Sequence, residues 1–371
     1  MPLEILTIEY LDKCNLSCAH CAVNASPSGD NKLSLEDAFS CILAARDHGV
    51  KCISLAGGEP FLVFEELCNI AQYSNSLGLK FNTFTNAFWA KDLAETKKFL
   101  EPLYSKGLSS LHLSLDCFHL EEGIGIQNLI NIAKVAKKLG LKLTINVLQV
   151  EQGKISYSYV KKLFKGYDII FEYESVMPMG RAAKLRNRLI KDNLKNYSSG
   201  CRSFGSPIIS PKGDVFACDG AYLLAGQGNP LKIGNIHETP VKQIFSKFCG
   251  LTLVNFIATF GPSSICEFVN PQNIPVYGDS KHTCDFCNRI LNIKENSDAI
   301  IEKFKLPDSA LKIKLELTEI CSKNVYSLRT QESPWDWKIK KFCRAKLPTF
   351  LSIWRFARTT AGKLSPRTIK D

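Results

Sequence analysis

The stretch from Leu3 to Cys21 reads LEILTIEYLDKCNLSCAHC and combines a short apolar run with three closely spaced cysteines. In the run, Leu6, Ile8 and Tyr10 alternate with polar side chains, which is the period of a β-strand with one buried face. The strand would end where the cysteines begin. The sequence therefore predicts a first strand that delivers three thiols to a loop at its carboxyl end.

The three thiols belong to Cys14, Cys18 and Cys21 and lie within eight residues. Close thiolates hold iron in iron–sulfur clusters, and a cluster of four irons needs four ligands. A protein that supplies three leaves one iron open to a substrate or cofactor. A zinc loop with His20 as a further ligand, or three unrelated cysteines, are the alternatives.

Length and composition describe a globular protein of 371 residues, with 45% apolar and 22% charged residues. That length allows a barrel-sized domain and a smaller one. The start, Met1-Pro2-Leu3-Glu4, carries no export signal, and there is no run of about 20 apolar residues, so we expect a cytosolic protein without a membrane span. In that setting the 15 cysteines indicate metal ligands more than disulfides.

Strand and helix patterns then alternate along the first half of the chain. The predicted strands after the first are 52–56, 79–85, 110–115, 141–148 and 168–175, and the predicted helices are 34–49, 64–78, 91–105, 125–139 and 157–164. Six strand–helix units with short connections favour a parallel sheet with right-handed crossovers. The expected fold class is α/β, a partial (β/α)6 barrel with its site at the carboxyl ends of the strands.

Polar residues follow several of these strands. Gly57-Gly58-Glu59-Pro60 follows the second strand; its glycines permit close approach of the backbone to a ligand, and its carboxylate can accept hydrogen bonds from an ammonium group. Ser114 and Asp116 lie two residues apart at the end of the fourth strand, an arrangement suited to ribose hydroxyls. Asn146 is a further polar candidate late in the fifth. An ordinary turn and capped strand ends are the alternatives.

A second set of cysteines follows residue 200. Residues 206–217 form a predicted β-hairpin that turns at Lys212-Gly213 and would bring Cys201 close to Cys218. Cys284 and Cys287 add a C-x2-C pair. Four such thiolates bind either zinc or a fully ligated iron–sulfur cluster. Cys249 and Cys266 are unassigned, and Cys266 is an alternative to one of the four.

The C-x3-C-x2-C spacing after the first strand, followed 36 residues later by G-G-E-P, resembles the radical S-adenosylmethionine (radical SAM) superfamily. The resemblance implies a [4Fe–4S] cluster on the three cysteines, with S-adenosylmethionine on its open iron. It implies that G-G-E-P binds the cofactor's amino group, that Ser114 and Asp116 bind the ribose, and that the backbone of Met177 covers the adenine. The residue before the third cysteine is usually aromatic in the family, and here it is His20.

The later cysteines, spaced C-x11-G-x4-C and then C-x2-C, resemble the auxiliary-cluster domain called SPASM, in its one-cluster form called Twitch. This implies a second [4Fe–4S] cluster on Cys201, Cys218, Cys284 and Cys287. The passage 178–182, PMGRA, resembles the P-x-G-R-A segment that leads into such domains; Arg181 would otherwise be a surface cation capping a helix. The implied domains are a core at 1–199, an auxiliary domain at 200–292 and a helical basic extension at 293–371.

The passages 86–89 and 114–119 resemble the branch of the superfamily that contains peptide epimerases. Some of those carry a hydrogen-donating cysteine directly after the one that matches Cys218, where this chain has Asp219. We therefore expect hydrogen abstraction from a ribosomally made precursor peptide with an oxidative outcome, a cross-link or a dehydrogenation, although Cys117 is another possible donor. The resemblance also implies a one-electron reductant such as flavodoxin or ferredoxin. The alternatives are a small-molecule radical SAM dehydrogenase and a non-catalytic zinc or iron–sulfur protein that binds nucleic acid.

The last 36 residues carry ten Lys and Arg against two Asp, a net charge of +8 out of +11 for the chain. Trp337 and Trp354 lie among them, and Trp335 directly precedes them. Basic and aromatic residues together suit an acidic peptide, a membrane surface or a nucleic acid, and a solvated extension is the alternative. The rest of the chain is near charge balance, so a general nucleic-acid surface is not expected.

Overall fold

The computed structural model describes residues 3–149, 157–188, 201, 205–223, 229–270, 272 and 283–305. The predicted basic extension is described only as far as residue 305, so the tryptophans of the tail lie outside the described residues. Along the described stretches, no helix combines the length and the apolar character that crossing a bilayer requires.

Strands and helices alternate through the first half of the chain, as predicted. The strands of the sheet are β1 Ile5–Glu9, β2 Cys52–Ala56, β3 Lys80–Thr85, β4 Leu108–Ser114, β5 Lys142–Gln149, β6 Ile169–Ser175, β7 Ile208–Ile209, β8 Asp214–Phe216 and β9 Lys232–Asn235. The helices are α1 Leu35–Asp47, α2 Phe64–Ser76, α3 Leu93–Ser105, α4 Cys117–Glu121, α5 Ile126–Leu139, α6 Tyr157–Leu163, α7 Asp219–Leu223, α8 Val241–Gly250, α9 Thr252–Phe260, α10 Thr283–Leu291 and α11 Lys294–Lys305.

One nine-stranded sheet contains all of these strands, in the order β6-β5-β4-β3-β2-β1-β7-β8-β9. Strands β1 to β6 are parallel to their neighbours and follow chain order, with the intervening helices as crossovers. This confirms the α/β fold class and the six-stranded parallel portion. Because parallel strands share one direction, all six carboxyl ends lie at the same edge.

The two faces of the sheet differ in polarity because successive side chains alternate between them. On β4, Leu111 and Leu113 are fully buried, whereas Ser110, His112 and Ser114 on the other face are only partly covered. Phe171 of β6 faces the helix side, where its ring centroid lies 6.2 Å from that of Phe164. The apolar face therefore forms the core with the helices, and the polar face lines the interior of the partial barrel.

Several crossover helices begin at a side-chain cap, which places the helix start directly after the site edge. The Ser34 hydroxyl accepts a hydrogen bond from the Asp37 amide at 3.0 Å, and Asp92 caps α3 in the same way through the Glu95 amide. Asp116 caps the short helix α4, accepting from the His119 amide at 3.0 Å. The caps fix where each loop ends.

The predicted hairpin is present and joins the sheet of the barrel. Strand β8 pairs antiparallel with β7, and Gly213 in the turn has φ +80°, a conformation that favours glycine. Strand β7 itself pairs parallel with β1, through Thr7 and Ile8. The cysteine-rich segment is therefore attached directly to the strand that precedes the three-cysteine loop.

Candidate active site

A cavity of about 390 Å³ opens at the carboxyl ends of the strands, a size typical of small-molecule sites. Nine residues proposed from the sequence line it: Cys14, Cys18, Cys21, Gly57, Gly58, Glu59, Ser114, Met177 and Asp219. Glu9, His20, His119 and Arg181 also line it. The topology therefore brings residues from β1, β2, β4, β6 and α7 to one place.

The three thiols of the first loop lie against this cavity and are largely shielded from solvent. Cys14 is 8% exposed and Cys18 is 6% exposed. Burial, together with nearby carboxylates and thiols, raises the pKa of Cys14 to about 11 and that of Cys18 to about 12. Without a cation these groups remain neutral, so bound metal is what would stabilise their thiolate forms.

The paired glycines line the cavity and also allow close packing of the chain against itself. A Cβ on Gly58 would lie 1.9 Å from the Lys13 carbonyl oxygen, and one on Gly57 would lie 2.4 Å from that of Leu11. The Gly58 amide donates to the Leu11 carbonyl at 2.7 Å. The glycines thus let the turn after β2 lie directly on the start of the cysteine loop.

Glu59 is 1% exposed, and its carboxylate connects the turn after β2 with the end of β3. One oxygen accepts from the Phe61 amide at 3.1 Å and from the Thr85 hydroxyl at 2.9 Å, and the other accepts from the Asn86 amide at 2.8 Å. Burial raises its pKa to about 7, against the opposing effect of these donors. A carboxylate has about four acceptor sites, so one remains for a ligand in the cavity.

Asn86 ties β3 to the cysteine loop. Its side-chain nitrogen, Nδ2, donates to the Asn15 side-chain oxygen at 2.9 Å and lies 3.8 Å from the Cys14 sulfur. The next residue, Ala87, adopts φ +67° although it is fully buried, and Asn128 donates to its carbonyl at 2.9 Å. Strained backbone of this kind often occurs at functional sites.

Arg181 fixes the other side of the cysteine loop. Its Nε donates to the Cys18 carbonyl at 2.9 Å, a terminal nitrogen donates to the Ala25 carbonyl at 2.7 Å, and its own amide donates to the Cys21 carbonyl at 3.0 Å. Gly180 has φ +55°, and a Cβ there would lie 2.7 Å from that same Cys21 oxygen. Arg181 is therefore a clamp on the loop, and the reading as a surface cation is wrong.

The proposed ribose-binding pair is divided by the structure. Ser114 lines the cavity, but Asp116 is fully buried behind it and accepts from His119 Nδ1 at 2.8 Å, with His20 Nε2 3.6 Å away. Asp116 therefore orients two imidazoles, which sequence spacing did not reveal. Asn146 pairs with Ser114 across the sheet, and among the described residues its buried Oδ1 has no hydrogen-bond partner. Asn146 is not among the described residues that line the cavity, so the structure gives it no contact with a ligand there.

The two residues proposed as catalytic occupy different environments. Asp219 lines the cavity, whereas Cys117, at the start of α4, is not among the described residues that do. Glu9 also lines the cavity; burial, together with the nearby Asp219 carboxylate, raises the pKa of Glu9 to about 8. Glu9 was missed from the sequence, although its place on the polar face of β1 was a usable signal.

The later cysteines also gather in one place. Burial raises the pKa of Cys218 well above its usual value, and the thiols of Cys284 and Cys201 raise it further. Burial likewise raises the pKa of Cys287, with further effects from Cys218, Cys201 and Cys266. The four proposed ligands are thus near neighbours, and Cys266 lies close enough to remain an alternative.

These observations fit the cofactors that the resemblance implies. Three thiols on one loop match a cluster with one open iron, and the cavity beside them offers an acceptor on Glu59 and the hydroxyl of Ser114. Met177 also lines this cavity. Four further thiols, gathered in one place, suit a second metal group.

Comparison with known proteins agrees with this. Residues 8–150 match the model of the radical SAM superfamily. A probable GTP 3′,8-cyclase of Methanothermobacter marburgensis is 34% identical over 31% of this chain and 36% of its own length. The putative peptide biosynthesis protein YydG of Bacillus subtilis is 21% identical over 53% and 61%. The chain thus spans about a third to three fifths of these relatives.

Among solved structures, SuiB of Streptococcus suis matches with a TM-score of 0.46 and 21% identity, over 66% of this chain and 65% of that one. The superfamily consists of enzymes that use a [4Fe–4S] cluster and S-adenosylmethionine, the two groups that the thiol loop and the cavity fit. With the family match at residues 8–150 and the C-x3-C-x2-C loop at the strand ends, the protein contains a radical SAM domain, and the members of that superfamily are enzymes.

Proposed function

We propose that this enzyme oxidises a ribosomally made peptide at a neutral or cationic residue. The charge of the cavity carries this proposal. Its lining includes the carboxyl groups of Glu9, Glu59 and Asp219, and Arg181 is the one Lys or Arg among the described lining residues. Both side-chain contacts of Arg181 go to backbone carbonyls of the cysteine loop.

This lining is unfavourable for a nucleoside triphosphate, the substrate class named for the cyclase relative. Buried anionic groups need paired cations, and the cost of leaving them unpaired is several kcal/mol per charge. Ionised or protonated, the three carboxyl groups supply no positive charge. A neutral or cationic peptide segment would meet no such penalty. The name of the YydG relative assigns that protein to peptide biosynthesis.

When bound, the cluster and S-adenosylmethionine supply a 5′-deoxyadenosyl radical that removes a hydrogen atom from the substrate. Oxidation then requires that the substrate lose a proton and an electron. Asp219 lines the cavity and would take the proton. The neighbouring thiols of Cys201, Cys218, Cys284 and Cys287 would hold the group that takes the electron.

Glu59 and Ser114 would position the cofactor, and Arg181 and Asn86 would hold the cysteine loop in the arrangement that the cluster needs. Cys117 is set aside as hydrogen donor because Asp219, and not Cys117, reaches the cavity. The proposal places the enzyme in the cytosol, where reducing conditions preserve its thiols, with a flavodoxin or ferredoxin as electron source.

The first experiment uses anaerobically reconstituted enzyme with dithionite and S-adenosylmethionine. We expect 5′-deoxyadenosine, and we expect GTP neither to bind nor to be converted. With short peptides encoded next to the gene, we expect a product that has lost two hydrogen atoms. Conversion of GTP would refute the proposal, and so would a peptide of unchanged mass that takes up deuterium from solvent, the sign of epimerisation.

The second experiment isolates Asp219. Asp219→Asn should retain cofactor cleavage and slow peptide oxidation by about 100-fold, since a positioned proton acceptor contributes that much or more. Asp214→Asn is the matched control, because Asp214 lies on β8, close before Asp219 in the chain, and pairs with Lys232 outside the cavity. Equal oxidation rates for the two variants would exclude the role given to Asp219.

A further inference from the structure

Three metal-binding side chains meet beside the cysteine loop in a combination that the cluster does not use. One ligand atom each from Cys18, His20 and His119 lies within 4.8 Å of the other two. Cys18 and His20 come from the loop after β1, and His119 comes from α4. One thiol and two imidazoles are ligands that zinc binds readily.

Asp116 prepares His119 for this role. The carboxylate is fully buried and accepts from His119 Nδ1 at 2.8 Å, which leaves Nε2 as the nitrogen available to a metal. A carboxylate behind a ligating histidine is the usual second partner in zinc sites, since it fixes the ring orientation and increases the basicity of the ligand. Asp116 also caps α4, so the position of His119 is fixed by the backbone as well.

His20 supplies an independent indication of a missing partner. Its side chain is 10% exposed, and among the described residues its buried Nδ1 has no hydrogen-bond partner. The ring stacks on Phe118 with centroids 4.7 Å apart, and its Nε2 lies 3.6 Å from the Asp116 carboxylate. A buried imidazole nitrogen without a partner is costly, and a bound metal would remove that cost.

We propose that Cys18, His20 and His119 bind one Zn²⁺ when no iron–sulfur cluster occupies the cysteine loop. Zinc bonds of about 2.0–2.3 Å place the ligand atoms of a tetrahedral site about 3.3–3.8 Å apart. The three atoms here lie within 4.8 Å of one another, so side-chain movements of about 1 Å would complete the site. The fourth position faces the cavity. Because Cys18 serves both metals, zinc and the cluster exclude each other, and zinc would hold the loop in an inactive state.

The test is anaerobic titration of the full-length apo-protein with zinc alone, against a chromophoric chelator. Zinc bound by the later cysteines is the same in every variant. The quantity compared is therefore the number of zinc equivalents that each variant loses relative to the wild type. Cys18→Ala, His20→Ala and His119→Ala should each lose one equivalent, whereas Cys14→Ala, Cys21→Ala and the control His48→Ala should retain it. Asp116→Asn, which keeps an N-cap side chain, should weaken this site by about 10–100-fold.

Iron binding should give the opposite pattern on reconstitution. Cys14→Ala and Cys21→Ala lose the cluster, and His20→Ala and His119→Ala keep it. Prior loading with zinc should slow cluster assembly in the wild type and not in His119→Ala. Retention of every zinc equivalent in both histidine variants, or its loss in Cys14→Ala and Cys21→Ala, would overturn the proposal. The measurements need no substrate or turnover, so their failure is separate from failure of the proposed function.

Discussion

The clamp by Arg181 gives the sharpest quantitative prediction. Removing the side chain in Arg181→Ala deletes its two hydrogen bonds to the Cys18 and Ala25 carbonyls, at 2.9 and 2.7 Å. A hydrogen bond to a charged group contributes about 1.5–3 kcal/mol, and we use the lower value because Arg181 is half-buried. The closed cysteine loop should therefore lose about 3 kcal/mol in Arg181→Ala. In Arg181→Lys, whose single ammonium cannot reach both carbonyls, the loss should be about 1.5 kcal/mol.

Hydrogen–deuterium exchange of the loop measures this directly, because opening of the loop exposes its amides. The Cys21 amide donates to the Cys18 carbonyl at 3.1 Å, the same oxygen that Arg181 holds, and the Ser26 amide donates to the Asp12 carbonyl at 3.2 Å. Since about 1.4 kcal/mol is tenfold, exchange should accelerate about 100-fold in the alanine variant and about 10-fold in the lysine variant.

Arg181 and the exposed Lys184 both lie in a 3₁₀ helix, Gly180–Arg188. Lys184→Ala is therefore the matched control and should leave loop exchange unchanged. Iron uptake by the loop should fall in the order wild type, Arg181→Lys, Arg181→Ala. Unchanged exchange of the Cys21 and Ser26 amides in Arg181→Ala would refute the reasoning, because it would mean that the loop is held closed without the clamp.

Three further predictions concern the same edge of the sheet. Gly58→Ala should destabilise the fold by about 1–3 kcal/mol or more, because its Cβ would meet the Lys13 carbonyl. Gly125→Ala is the control and should cost little, because its Cβ would lie 3.5 Å from the Asn128 side chain. Equal denaturation midpoints for the two variants would contradict this. Glu59→Gln should weaken S-adenosylmethionine binding by about 10–100-fold in equilibrium dialysis, because it removes the charge offered to the cofactor's ammonium, and unaltered affinity would exclude that contact. Glu9 has a pKa near 8 in the fold against 4.5 for a free glutamate side chain, so the folded state binds the extra proton. Its contribution to stability is complete below about pH 4.5 and lost as the pH rises through about 8. Glu9→Gln should flatten that slope in denaturation measured across this range while the exposed Glu4→Gln does not, and identical slopes would show that Glu9 is already ionised.

The local elements were predictable because each depends on neighbours in sequence. The alternation in β1, the cap at Ser34 and the turn at Gly213 all follow from side chains within a few residues, and the structure has them where expected. Parallel strands have their carboxyl ends at one edge, so the meeting of the cysteine loop with Glu59 and Ser114 could also be expected.

The partners of individual atoms could not be predicted in this way. Sequence spacing predicted that Asp116 contacts a ligand. In the structure the chain turns into α4 directly after β4, and the Asp116 carboxylate therefore accepts a hydrogen bond from His119 and lies 3.6 Å from His20. The glycines of the G-G-E-P turn serve contact with Leu11 and Lys13, which lie more than 40 residues earlier.

The sequence by itself determined the strand–helix alternation and the three-thiol loop, since periodicity and short spacing are properties of consecutive residues. Only the tertiary structure decided that Arg181 holds that loop from about 160 residues away, and that Glu9 and Asp219 share one cavity. The physical reason is that these contacts depend on how the sheet brings distant strand ends together. Burial and hydrogen-bond saturation are set by that assembly, and no local pattern encodes them.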